Sequence, residues 1–276
     1  MVKNGKVISI INMKGGVGKT ALSVGISSFL AENRDKKILL IDSDPQFNAT
    51  QAFIDPDKYE EDTKTIFQLF KPQTEIAERY VMPKKEELIT NIQENLDILK
   101  GDLNLVLVNK SSDSGLIKRL KMFIKVNKLR EEYDYIIIDC PPTLTLYTDS
   151  ALISSDYYLI PNRIDRYSGI GIKSLNRAIS DLIYSEDLEL KCLGLVYTMV
   201  EDQLTQKQND IKSELESSKA VEDIYIFSSN SSFVRDMQVG RQGPIAIRYG
   251  KSKKDISDIV DEMENRLSSI GGNNNG

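Results

Sequence analysis

The chain has 276 residues, 40% of them hydrophobic, two cysteines and a formal net charge of −5. That length and apolar content suit one well-buried α/β domain, expected over residues 1–270, and Cys140 and Cys192 are too few for a disulfide scaffold and fit a reducing cytoplasm. The negative balance excludes a global basic field, so any DNA contact must come from a local patch, and no signal-peptide pattern or bilayer-length apolar run is read, so a soluble cytoplasmic protein is expected.

In chain order, the β-branched run Val7–Ile11 reads as a strand. It feeds a glycine loop in which Gly15, Gly16 and Gly18 let backbone N–H groups turn inward, ahead of a helix whose dipole end favours anions. Lys14, Gly15, Gly16, Val17, Gly18, Lys19, Thr20 and Ala21 form the candidate ATP-binding stretch. Within it Lys19 is placed to reach the β/γ-phosphates and Thr20 to ligate Mg²⁺. The usual Gly-x-x-x-x-Gly-Lys-Thr pattern wants glycine where Met13 stands, and a second lysine, Lys14, appears beside it.

Leu22, Ile26, Phe29 and Leu30 then fall at helical spacing, and Lys37–Ile41 reads as a buried strand ending in Asp42. Asp42 and Asp44, two residues apart at the strand tip, can serve metal and water, or can simply cap a turn before Pro45. Residues 55–64 and 71–87 are irregular and read as surface connections with short helices. Leu96–Leu99 is a strand, and so is Tyr135–Ile138, whose acid Asp139 is followed by Cys140, Pro141 and Pro142; the prolines stiffen the turn. Further strands are expected at Tyr157–Ile160, Cys192–Tyr197 and Ile224–Ile226. Short apolar runs alternating with helices imply a mostly parallel twisted sheet with helices on both faces, with ligands at the strands' carboxyl ends. The 271–276 stretch of Gly and Asn has nothing to bury and is expected to be disordered.

The loop at Lys14–Thr20, the Asp42-Ser-Asp-Pro-Gln46 stretch and the Asp139 strand together resemble the ParA/MinD superfamily of deviant P-loop ATPases, nearest to the small Soj-like ParA proteins. The resemblance spans Val7 to about Leu267 and implies a P-loop NTPase fold, with ATP and Mg²⁺ as cofactors. It implies that Lys14 reaches across an ATP-dependent sandwich homodimer to the partner's nucleotide. Asp44 then orients the attacking water, Asp42 supports the magnesium site, and Asp139 holds Mg²⁺ through water. Ser154–Pro161 and Asp165–Gly169 resemble the segments that hold the region beside the nucleotide and the dimer face. Thr198 and Met199 are candidates to flank adenine, or are ordinary strand-end packing. Cys140 follows Asp139 at once, the wrong spacing for the cluster cysteine of the nitrogenase iron protein, and Cys192 sits in an apolar strand pattern typical of a core thiol.

Near the end of the chain, Ile256, Ile259, Val260, Met263 and Leu267 form an apolar stripe opposite Asp255, Asp258, Asp261, Glu262 and Glu264. An acidic face is repelled by anionic lipid, so a core-packed helix and no membrane contact are expected. Candidate DNA contacts are Lys207, Lys212, Arg235, Arg241, Arg248 and Lys251, with Lys253 and Lys254 nearby; Lys118, Lys121, Lys125, Lys128 and Arg130 form a second basic run. Either set can equally be a solvated face. With six residues before Val7, no amino-terminal helix-turn-helix is expected. The resemblance implies a nucleoid-associated partition ATPase that binds DNA nonspecifically and answers to a ParB-like partner. The alternative is a related positioning ATPase acting on a protein assembly or membrane site.

Overall fold

The computed structural model describes residues 4–55, 64–71, 80–108 and 115–272. Parts of the two irregular connections, residues 56–63 and 72–79, and the end of the expected tail, 273–276, lie outside them. Seven strands form one sheet: β1 (Lys6–Ile10), β2 (Ile38–Asp42), β3 (Ile89–Gln93), β4 (Leu96–Leu99), β5 (Tyr135–Asp139), β6 (Tyr157–Arg163) and β7 (Lys191–Thr198). Their spatial order is β3-β4-β2-β5-β1-β6-β7, and every pairing is parallel except β3 with β4. The central strands β2 and β5 are buried along their whole length, as expected for continuous apolar runs covered on both faces.

Six longer helices cover the sheet: α1 (Lys19–Arg34), α2 (Arg119–Val126), α3 (Leu146–Ser154), α4 (Ser168–Glu186), α5 (Gln206–Glu216) and α6 (Gly250–Gly272). The alternation of side chains along the strands splits the core in two. On one face Ile136, Ile138 and Ile160 pack with Phe123, Tyr147 and Leu175 of α2, α3 and α4. On the other, Ile8, Ile137 and Leu159 pack with Leu22 and Ile26 of α1 and with Ile259 and Met263 of α6. The expected stripe of α6 is therefore core, each of its five apolar residues being at most 1% exposed.

Three details depart from the sequence reading. β3 was not expected: its Ile-Thr-Asn-Ile-Gln run is half-exposed, and it exists as the outer arm of a hairpin turned at Glu94-Asn95, with Asn95 left-handed at φ 62°. Ile224–Ile226 is not a strand but a single bridge, in which Leu195 N–H donates to Tyr225 O and Phe227 N–H donates to Leu195 O. Beyond it Ser228 and Ser229 bond to Glu262 of α6, and the chain pairs again with the end of β7 at Ser231–Phe233. Finally, α6 runs through Gly272, two residues into the stretch read as a tail.

The acidic side of α6 is also not a bare solvated face. Glu262 accepts hydrogen bonds from the N–H and hydroxyl groups of Ser228 and Ser229 and from Tyr225 Oη, at 2.6–2.9 Å. Asp255 accepts from Ser232 N–H at 2.8 Å, Glu264 from Tyr135 Oη at 3.0 Å, and Asp261 pairs with Arg34. These carboxylates fasten the helix to neighbouring segments, including the loop at 225–232 that runs beside the end of β7.

Candidate functional site

The site lies at the carboxyl ends of β1, β2 and β5, where the chain leaves the sheet. Asn12 anchors the start of the glycine loop: its Nδ2 donates to Pro161 O at 2.8 Å and its Oδ1 accepts from Lys14 N–H at 2.9 Å. Gly16 and Gly18 are left-handed, φ 71° and 80°, a conformation that side chains rarely adopt. A Cβ built at Gly15 or Gly16 meets nothing within 4 Å, so the loop's backbone faces open space that phosphate oxygens can fill. Thr198 Oγ1 donates to Val17 O at 2.7 Å, which brings the end of β7, with Met199 left-handed at φ 53°, against the back of the loop.

Lys19 is buried, and its Nζ donates to Lys14 O at 3.0 Å. Burial lowers its pKa, while the charges of Asp139 and, more weakly, Asp44 pull it back up. Thr20 Oγ1 donates to Asp139 Oδ2 at 2.7 Å and Ser23 Oγ to Asp139 Oδ1 at 2.8 Å. Asp42 and Asp139 are register partners on adjacent parallel strands, so their carboxylates project from the same face of the sheet. Both are fully buried and both are pushed above the ordinary carboxylate range, first by desolvation and, for Asp42, next by the charge of Asp139.

A buried acid pair beside one lysine leaves the pocket short of positive charge. Hard oxygen donors in such a pocket fit Mg²⁺, which takes one or two protein oxygens and completes its shell with water and phosphate. Thr20 and Asp139, bonded to each other there, could hold it; among the described residues no cluster of three or more acidic, His or Cys ligands offers a full protein cage. Cys140 is buried, its thiol pushed up to about 12 by desolvation and then by Asp139, and it is an inert core group.

Asp42 and Asp44, alike in sequence, are placed differently. Asp42 Oδ2 accepts from both the N–H and the Oγ1 of Thr50 at 2.8 Å, and its Oδ1 accepts from Asp44 N–H at 3.3 Å. Asp44 Oδ1 accepts from Gln46 N–H at 2.9 Å, and Phe47 N–H closes the turn onto Asp44 O at 2.8 Å. The turn expected of an Asp-Pro sequence is thus present, and it holds Asp44 at the strand tip beside Asp139, which feels its charge. Lys14 forms an ion pair with Asp165, whose other oxygen accepts from Tyr167 N–H at 2.9 Å. Burial pushes the Asp165 pKa up, but these bonds outweigh it and leave the group below its ordinary value.

The nominated DNA contacts lie on separate segments. Arg248 is bidentate to Glu32 (2.9 and 3.1 Å), Lys251 pairs with Asp202, Arg241 with Asp236 at 3.4 Å, and Lys212 with Glu216 at 3.8 Å while lying over the Tyr197 ring. Lys207 and Arg235 are exposed, without ion-pair partners among the described residues, as are Lys253 and Lys254. In the second run, Lys118 pairs with Glu186 and Arg130 is bidentate to Asp156, whereas Lys121, Lys125 and Lys128 are exposed. Asn12, Ser23, Thr50 and Gly101 were missed in the sequence. The legible signals were the hydroxyl four residues after Lys19, the hydroxyl at the end of the Asp42–Thr50 stretch and the glycine that follows β4.

A family model described as an AAA domain matches residues 5–192. The sporulation initiation inhibitor protein Soj of Bacillus subtilis is 30% identical over 201 residues, 71% of this chain and 74% of that one. The chromosome partitioning protein ParA of Myxococcus xanthus is 32% identical over 195 residues, 71% and 65% of the two chains. Among solved structures, the ATP complex of a Cyanothece McdA variant superposes with a TM-score of 0.77 at 19% identity, covering 98% of this chain and 97% of that one.

Proposed function

Because the chain belongs to the ParA family of P-loop ATPases, we propose that it is a partition ATPase, a single domain spanning residues 1–270 that uses ATP and Mg²⁺ to cycle between a monomer and a DNA-bound dimer. The observation that carries the reading is the pair of lysines with separate partners: Lys19 is buried in its own loop, and Lys14 is tied to Asp165 on the rim. In this reading Gly15 to Ala21 cradle the phosphates, Thr20 and Asp139 hold the magnesium with Asp42 behind them, and Asp44 orients the attacking water. Bound there, the metal would neutralise phosphate charge. Thr198 and Met199 stand beside the base.

Dimerisation is supported by apolar exposure. Leu103, Leu107, Leu144, Tyr167 and Ile170 are 40–70% exposed on the segments that follow β4, β5 and β6, at the edge of the sheet that carries Lys14. A second copy covering that edge would bring its own Lys14 toward this nucleotide. A ParB-like partner would stimulate hydrolysis, in a cytoplasmic, nucleoid-associated cycle; no helix of the described residues is long and apolar enough to cross a membrane.

DNA binding would use phosphate contacts without base readout. With four of the six nominated cations engaged internally, Lys207 and Arg235 are the two left for it. The same observation favours a second reading, an ATPase that positions a protein assembly or membrane site. A gel shift with random-sequence duplex separates the two: ATP-dependent retention, weakened by Lys207→Glu with Arg235→Glu and by added salt, is expected. Absence of retention by the unmodified protein with ATP and magnesium would favour the second reading.

A further inference from the structure

We propose that Thr50 is a positioning residue for hydrolysis, bracing the Asp44 turn against the end of β4 through a relay that runs from Gly101 to Asp42. This rests on the reading of Asp44 as the water-orienting group. Gly101 N–H donates to Thr50 Oγ1 at 2.9 Å, and Thr50 Oγ1 donates to Asp42 Oδ2 at 2.8 Å. A hydroxyl has one proton, so the amide arriving at its lone pair directs that O–H toward the carboxylate. Asp42 in turn receives Thr50 N–H and Asp44 N–H, which closes a loop of bonds around both ends of the 44–50 segment.

The two sides of the relay differ in what holds them. β4 is an interior strand paired on both sides, and Ile66 N–H donates to Lys100 O at 2.8 Å just beyond it, so Gly101 is a fixed point. The 44–50 segment is a turn at Asp44–Phe47, with Phe47 left-handed at φ 41°, running into the single helical turn Asn48–Gln51, and the relay ties it to that point. Gly101 is also sterically required: a Cβ there would stand 2.7 Å from Phe47 Cβ and 2.9 Å from Asp42 Cγ. Hydrolysis depends on the water-orienting carboxylate to within about an ångström, whereas phosphate affinity comes from the Lys14–Ala21 loop, which the relay does not touch. Thr50 should therefore govern turnover and leave nucleotide affinity alone.

The test is Thr50→Val, a near-isosteric change, beside Thr50→Ser. We expect Thr50→Val to lower kcat about tenfold, to leave KM and the affinity for a fluorescent mant-ATP probe within about twofold, and to speed hydrogen exchange at the Gly101 amide. Thr50→Ser should restore all three. If Thr50→Val does not fold, Thr50→Ala, which removes the hydroxyl without placing a methyl against the carboxylate, should give the same kcat-selective loss. Wild-type turnover in Thr50→Val, a parallel loss of mant-ATP affinity, or failure of Thr50→Ser to rescue overturns the proposal. Asp44→Ala separates the two layers. If it retains wild-type turnover, the reading of Asp44 fails; if it is inactive while Thr50→Val turns over normally, only the relay fails.

Discussion

Replacing Glu262 with glutamine should destabilise the protein by an amount that depends on pH. The Glu262 carboxylate accepts five hydrogen bonds, from Tyr225 Oη and from the N–H and hydroxyl groups of Ser228 and Ser229. Partial burial raises its pKa, but the Ser229 hydroxyl, the two backbone N–H groups and Tyr225 together bring it from 4.5 down to about 2. A shift of about 2.5 units at about 1.4 kcal/mol each sets a ceiling of about 3.4 kcal/mol. The group is partly open to solvent, so screening reduces this to about 1–2 kcal/mol. Because the folded-state pKa lies below the unfolded one, the contribution is complete above about pH 4.5 and is lost as pH falls from there to about 2. Urea unfolding of the wild type and of Glu262→Gln should therefore differ by about 1–2 kcal/mol near pH 7 and by under half of that near pH 3. Exchange at the Ser228 and Ser229 amides should rise in the variant. A stability difference that is the same at both pH values, or no difference near pH 7, would refute the hydrogen-bonded carboxylate as the clamp of this loop.

Lys19→Ala should abolish mant-ATP binding, since it removes the buried lysine proposed to meet the β/γ-phosphates; wild-type affinity in a fluorescence titration would count against that role. Lys14→Ala should leave mant-ATP binding to the monomer within a few-fold and eliminate the ATP-dependent dimer in light scattering, because in the structure Lys14 bonds to Asp165 on the rim. An ATP dimer of undiminished mass in that variant would sink the sandwich arrangement.

The phosphate loop was legible in the sequence because its chemistry is local. Gly15 to Thr20 are consecutive, the strand before and the helix after follow from period and composition, and the left-handed glycines sit where the motif wants them. The same holds for Asp139 at the tip of an apolar run and for the core stripe of α6. What could not be read are contacts between residues far apart in the chain. By spacing alone Asp42 and Asp44 are two acids two apart, and only the resemblance gives them separate roles. The tertiary structure shows what holds each: Gly101 and Thr50 tie Asp42 into a bonded relay, while Asp44, also buried, bonds within its own turn. The acids of α6 present the pattern of a solvated face, and their role as clamps depends on serines 23–34 residues away. β3 and the 224–226 segment fail for the matching reason. A hairpin partner creates a strand from a half-polar run, while 224–226 meets β7 only at the single Leu195–Ile226 bridge, because backbone pairing is settled by the neighbour available in space and not by local propensity alone.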